Sequence, residues 1–259
     1  MTWLLEEHGF KPSENLHWEG LFTCGSGRLH LRGSLEESLA ESPQDRDFVR
    51  VPGNVTVASF DETQAKWGSY LPGLYGAHPL MGHEIINLPW AGQLELQIAG
   101  ERFDPSRSRF ENWRRRLHLE RAELTRQCTW QSATGAVHLH WRRFVSAARP
   151  QILVQEIRIR AEQNCEIQID AGIDARVRTS GYDHFSQVDC QPHDQSIRMQ
   201  IVTDRDELVQ IASRLMLPDI TIQQSERLIS QRATLSVNKP GAARNPRVRS
   251  YRSAPGFCS

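Results

Sequence analysis

Apolar residues recur at every second position along most of this chain. Leu94, Leu96 and Ile98 alternate with polar neighbours in QLELQI; Ile167, Ile169, Ala171 and Ile173 do so in EIQIDAGI; Ile197, Met199 and Ile201 do so in SIRMQI. A period of two sends successive side chains to opposite faces, so each segment predicts a half-buried strand. Residues 124–144 extend the pattern into a hairpin, with Leu124, Cys128 and Trp130 entering a Ser132–Gly135 turn and Val137, Leu139 and Trp141 leaving it. After Trp141 the alternation slips at Arg142 and Arg143 before Phe144, which predicts a β-bulge. Helical signals are confined to SLEESLA at 34–40 and DRDELVQIASRL at 204–215. Many strands separated by turns predict a mainly all-β protein, a large two-sheet antiparallel β-sandwich with a few short helices.

Composition leaves that picture intact. A chain of 259 residues, 39% hydrophobic and 24% charged, can bury one substantial core. Its 31 basic and 31 acidic residues give a formal net charge of zero, which removes the general electrostatic case for nucleic acid or anionic membranes as partners. The first residues lack a basic leader region, and no apolar run approaches the roughly 20 residues that cross a bilayer. A cytoplasmic location is expected. Cys24, Cys128, Cys165, Cys190 and Cys258 are odd in number and never spaced as CxxC, so reduced thiols fit better than disulfides or a zinc site.

Charge is uneven at one end. Residues 239–259 hold five basic residues, three prolines and no acid, whereas residues 1–238 carry 26 basic and 31 acidic. The expected division is a sandwich over 1–238 and a disordered basic tail over 239–259, with an RNA-binding arm disfavoured by the lack of RGG repeats. A shifted reading frame would also account for the abrupt change.

Candidate chemistry is sparse. Gly25, Gly27 and Gly33 in ENLHWEGLFTCGSGRLHLRGSLEE suggest a phosphate loop, but His30 stands where the fingerprint needs glycine and no βαβ unit follows. Glu14, Glu19, Glu36 and Glu37 could supply an acid and a base for glycoside chemistry, yet surface acids and helix N-terminal charges explain them more simply. His138 and His140 share one strand face beside Arg142 without an acid or thiol to complete a metal set, and His78, His83 and Glu84 are looser still. Ser26 lacks a nucleophile elbow, and Cys24 lacks an identifiable histidine partner. No catalytic residue, metal ligand or cofactor site is assigned on these grounds.

Ordered segments nevertheless resemble the N-terminal domain of glycoside hydrolase family 65, the family of maltose, trehalose and kojibiose phosphorylases and related hydrolases. In the glycine-rich stretch Leu21, Phe22, Gly25, Gly27, Arg32, Gly33, Glu36 and Glu37 match the family signature in order, while Ser26, Arg28 and His30 depart from it. GSYLPGLYG, INLPWAGQLELQIAGERFDP, HLERAELTRQCTW and WRRFVSAARPQILVQEIRI are similar to the blocks that follow, across about residues 14–180. The resemblance implies that the opening stretch forms a strand and glycine turn at the start of a galactose mutarotase-like sandwich.

In the family that sandwich leads into an (α/α)6 barrel. There a glutamate protonates the glycosidic oxygen while phosphate or water attacks the opposite face of the sugar. The sequence ends before a barrel, so the resemblance implies an accessory domain inactive alone, with a separately encoded or missing barrel as partner. It also implies an α-linked disaccharide or oligosaccharide and a homodimer as partners. Trp67, Tyr70, Tyr75 and Trp90 are the candidate sugar or barrel contacts, because aromatics suit both; burial in the sandwich core competes with that role. A stand-alone carbohydrate-binding module and a mutarotase-like enzyme using the sandwich itself remain as alternatives.

Overall fold

The computed structural model describes residues 3–40, 68–78, 80–175, 177, 179, 184–193, 196–216, 223–225, 230–237 and 247–253. The chain enters through β1 (Leu4–His8), a 3-10 turn (Pro12–Glu14), helix α1 (Asn15–Leu21), β2 (Cys24–Gly25) and β3 (His30–Leu31). β4 (Ser69–Tyr70), the hairpin β5 (Tyr75–His78) and β6 (Gly82–Ile85), β7 (Leu94–Ile98) and β8 (Glu101–Arg102) follow. The long strands are β9 (Phe110–His118), β10 (Glu123–Ser132), β11 (Gly135–Val145), β12 (Ile152–Ala161) and β13 (Cys165–Gly172). The series closes with β14 (Phe185–His193), β15 (Ser196–Thr203), β16 (Leu208–Met216), β17 (Gln223–Ser225), β18 (Ser230–Val237) and β19 (Arg247–Ser253).

The strands form a nine-stranded antiparallel sheet, β1-β9-β10-β11-β12-β19-β16-β15-β14, and a five-stranded one, β17-β18-β13-β7-β8. Alternation explains how the two meet. Trp130, Leu139, Trp141, Ile157 and Ile159 leave one face of the large sheet and pack with Leu96, Ile98, Ile167 and Ile169 of the second. Further along, Ile197, Met199, Ile201, Val209 and Ile211 pack with Leu29, Leu31, Leu74, Leu88 and Trp90. The strands expected at 93–98, 166–173 and 196–201 and the hairpin at 124–144 are all present.

Local expectations fail where long-range partners outweigh local pattern. Residues 34–40 are not helical: Leu35 and Leu39 enter the core, the Glu36 carbonyl accepts from Leu94 N–H at 3.0 Å, and Ser38 N–H donates to Glu95 Oε1 at 2.9 Å. Residues 204–215 form a turn and β16, because Val209, Ile211 and Leu215 keep a period of two. The opening stretch begins as α1 rather than a strand, and its glycine turn follows between β2 and β3. No slip occurs after Trp141: Arg143 and Val145 continue the buried face, Phe144 points the other way, and pairing with β10 is unbroken. The bulge lies instead where β10 meets β9, between Gln127 and Thr129.

Within the segment expected to be a disordered tail, the described backbone of β19 pairs with both β12 and β16. A ladder needs only alternating N–H and C=O groups, which a charged segment supplies as readily as an apolar one.

Candidate functional site

The acids of the opening stretch are mostly interior. Glu19, Glu36 and Glu37 are buried, contrary to the surface position expected for them; Glu14 alone is exposed, pairing with Lys11. Glu36 and Glu37 face Arg126 and Arg143 on the inward face of the large sheet, where a third buried arginine, Arg115, holds Glu7. Arg126 Nη2 donates to Glu37 Oε1 at 2.7 Å and lies 2.8 Å from Glu36 Oε2, and its guanidinium stacks 3.6 Å over the Trp141 ring. Arg143 donates to the Ser34 carbonyl at 2.9 Å and lies 5.0 Å over the Trp90 ring. Arg115 grips Glu7 through Nε and Nη2, the latter at 3.0 Å. Glu19 accepts from Asn15 Nδ2 at 2.8 Å and Ser34 Oγ at 3.2 Å.

Burial pushes the Glu37 carboxyl up, with Arg126 pulling it back. Burial opposes the Arg126 charge, but Glu37 and Glu36 more than offset it and raise its pKa. This network fastens residues 33–38 to the sheet. Glu7, Glu36 and Glu37 are held by arginines inside the domain and Glu19 by Asn15 and Ser34, so the role the network supports is structural.

A second polar cluster lies beneath the β5–β6 hairpin. His184, 2% exposed, faces Asp204 Oδ2 at 2.8 Å through Nδ1 and Glu84 Oε1 at 3.0 Å through Nε2. Asp204 also accepts from Ala77 N–H at 3.1 Å and donates its own N–H to the His184 carbonyl at 2.8 Å, while Arg205 reaches the Gly82 carbonyl at 2.8 Å. Gly76 makes the close approach possible, since a Cβ there would collide with His184 Nδ1. His78 Nδ1 accepts the N–H groups of Leu80 and Met81, at 3.1 and 3.0 Å, and so shapes the turn. Both nitrogens of His184 already face carboxylates, so the ring holds hairpin and loop together. His184 and Asp204 had no signal in the sequence; they lie 100 and 120 residues beyond Glu84 and are joined only by the fold.

The three described candidate aromatics differ in exposure. Trp90 is fully buried, with Gly92 pressed so closely on its ring that any Cβ would clash, which assigns it to the core. Tyr70 is half-buried. Tyr75 is 40% exposed and meets His83 edge-on at 5.4 Å. Trp67 lies outside the described residues. Leu80 and Met81, at the hairpin turn, are 67% and 61% exposed, and Ile85 joins them at 41%.

Cys24 and Cys128 are buried, Cys165 and Cys190 half-buried, and all four are free; Cys258 lies outside the described residues. Burial pushes the Cys128 thiol up to about 12, with Arg126 pulling it back. Ser26 Oγ donates to the Pro150 carbonyl at 2.6 Å. Among the described residues no group of three or more His, Cys, Asp or Glu is arranged to hold a metal ion.

The family description "Glycosyl hydrolase family 65, N-terminal domain" matches residues 5–244. The chain belongs to that family. Among curated relatives, a kojibiose phosphorylase of Halothermothrix orenii is 26% identical over 190 residues, which is 73% of this chain and 21% of the relative. An alpha,alpha-trehalose phosphorylase of Thermoanaerobacter brockii is 23% identical over 162 residues, 58% of this chain and 18% of the relative. A nigerose phosphorylase of Lachnoclostridium phytofermentans is 22% identical over 191 residues, 74% of this chain and 22% of the relative. This family 65 chain therefore spans about a fifth of the length of the curated relatives it matches. A solved structure named "Putative kojibiose phosphorylase from human microbiome" superposes with a TM-score of 0.76 at 16% identity over 98% of this chain and 32% of that one, a likeness of fold.

Proposed function

We propose that this chain is the accessory β-domain of a family 65 α-glucoside phosphorylase or hydrolase. It serves cytoplasmic carbohydrate metabolism by packing on a catalytic (α/α)6 barrel, and does not itself cleave an α-linked disaccharide. The match of the N-terminal domain family over residues 5–244, among relatives named as disaccharide phosphorylases, carries this proposal. Side-chain geometry supports it: the buried Glu36 and Glu37 are held by Arg126, and the His184 ring nitrogens face carboxylates. The exposed run of Tyr75, Leu80, Met81 and Ile85 on one hairpin suits docking, since clustered surface apolar groups mark interaction sites.

The purified chain is expected to release neither glucose nor glucose 1-phosphate from maltose, trehalose or kojibiose, with or without phosphate. Turnover above a matched blank that is lost in His184→Gln would overturn the assignment and favour an enzyme using the sandwich. The edge-on contact of Tyr75 and His83 supports a second reading as a carbohydrate-binding module. That reading expects saturable maltose binding, abolished by Tyr75→Ala.

A further inference from the structure

The outward face of the large sheet, which the accessory-domain proposal does not use, carries a groove of about 470 Å³. Strand pairing builds it. His138 stands opposite Arg160, and His140 opposite Arg158, on neighbouring strands β11 and β12. Thr129 stands opposite His138 on the other side, and Asn112 completes the wall from β9. Asn112 has φ +57° where β9 and β10 lose register, and bulges of this kind re-aim side chains beside functional clefts.

The chemistry of the lining is one-sided. It includes two arginines and two histidines, and no aspartate or glutamate. Carboxylates stand only around it: Glu156 pairs with Arg158 Nε at 2.6 Å, and Glu162 lies 3.4 Å from His138 Nε2. Arg160 is exposed and makes no ion pair among the described residues. The guanidinium of Arg160 and the Nη groups of Arg158 left over from its Glu156 pair, opposite two imidazoles, form a patch suited to a compact oxyanion, since arginine presents paired donors to phosphate oxygens. A bare phosphate would leave much of such a volume empty. Thr129 Oγ1 and His138 Nδ1 bond each other at 3.2 Å, and the remaining capacity of the hydroxyl together with Asn112 and His140 offers the neutral donors and acceptors that hydroxyl groups need.

The geometry points to a binding site for a small phosphorylated, hydroxyl-rich metabolite, of the sugar phosphate class, across β9–β12 at Asn112, Thr129, His138, His140, Arg158 and Arg160. His140 supplies an independent signature. Burial lowers its pKa, and Arg158 lowers it further against the opposing pull of Glu156 and Glu123. A bound dianion beside the ring offsets that cost, so binding takes up a proton and tightens as pH falls through the histidine range.

Calorimetry of the full chain with glucose 6-phosphate, inorganic phosphate and glucose tests the site. Glucose 6-phosphate is expected to bind saturably, phosphate more weakly and glucose not at all. Arg160→Gln should weaken glucose 6-phosphate about tenfold with an unchanged melting temperature, because one charge-assisted contact is lost. In buffers of different ionisation enthalpy the wild type should show proton uptake that His140→Gln lacks. The inference is overturned if glucose 6-phosphate does not saturate, if neither substitution weakens it, or if inorganic phosphate binds as tightly. A DNA duplex competing equally well would also overturn it, by making the face a general polyanion surface. None of these outcomes depends on a barrel or on disaccharide turnover, so the accessory-domain proposal stands or falls separately.

Discussion

Tyr70 shows how a single side chain reports its surroundings. It sits half-buried on β4, where burial pushes its phenol up to about 12, Arg32 pulling it back and Glu19 pushing it further. In the unfolded chain the same phenol ionises near pH 10. The folded state therefore holds this proton more tightly. The associated stability is fully present below about pH 10 and is lost as pH rises towards 12. Alkaline titration followed by tyrosinate absorbance should show one late component among the four tyrosines, absent from Tyr70→Phe. A late component that survives the substitution would place the shift on another residue.

Sequence legibility at this scale divides by chemistry. Trp130, Leu139 and Trp141 were readable as core, and His138 and His140 as the opposite face, because alternation along a strand is a local property. Arg115, Arg126 and Arg143 were not. Each occupies an inward position in phase with its apolar neighbours, but an arginine there contradicts simple patterning until its distant carboxylate is known.

Elements differ in how far their form is their own. β7, β10, β11, β13 and β15 follow directly from their alternation. The segment over 33–40 does not; its helical spacing yields to ion pairs and to backbone bonds with β7. The Arg126 pairing tests that view. Arg126→Met leaves Glu37 buried without the guanidinium that balances it, and should cost about 3 to 5 kcal/mol in denaturant titration. Adding Glu37→Met should recover part of that loss, because the pair is replaced by apolar groups of similar bulk. Losses that simply add would mean that the two residues act independently.

For the whole molecule, the family was legible because motif order survives where individual motifs are weak. The candidate site was not, since His184, Glu84 and Asp204 meet only when separate sheet regions fold together. The C-terminal segment marks the limit of composition as a guide. β19 joins β12 to β16 inside the large sheet, so a chain ending at residue 238 removes a bridging strand from the ladder. Such a chain should melt several degrees lower than the full one by calorimetry. An unchanged melting temperature would return residues 239–259 to the independent tail that their composition suggests.

The ion pairs that seat the N-terminal segment also set an order of events during synthesis. Glu7 waits for Arg115 across 108 residues, Glu37 for Arg126 across 89, and the Ser34 carbonyl for Arg143 across 109. At roughly 5 to 20 residues per second on the ribosome, the acids precede their cations by several seconds. Until β9–β11 have emerged and paired, burying those carboxylates would carry the full desolvation cost without compensation. Residues 7–37 are thus made before the strands they fasten to, a clasp that must stay open until β9–β11 stand beneath it.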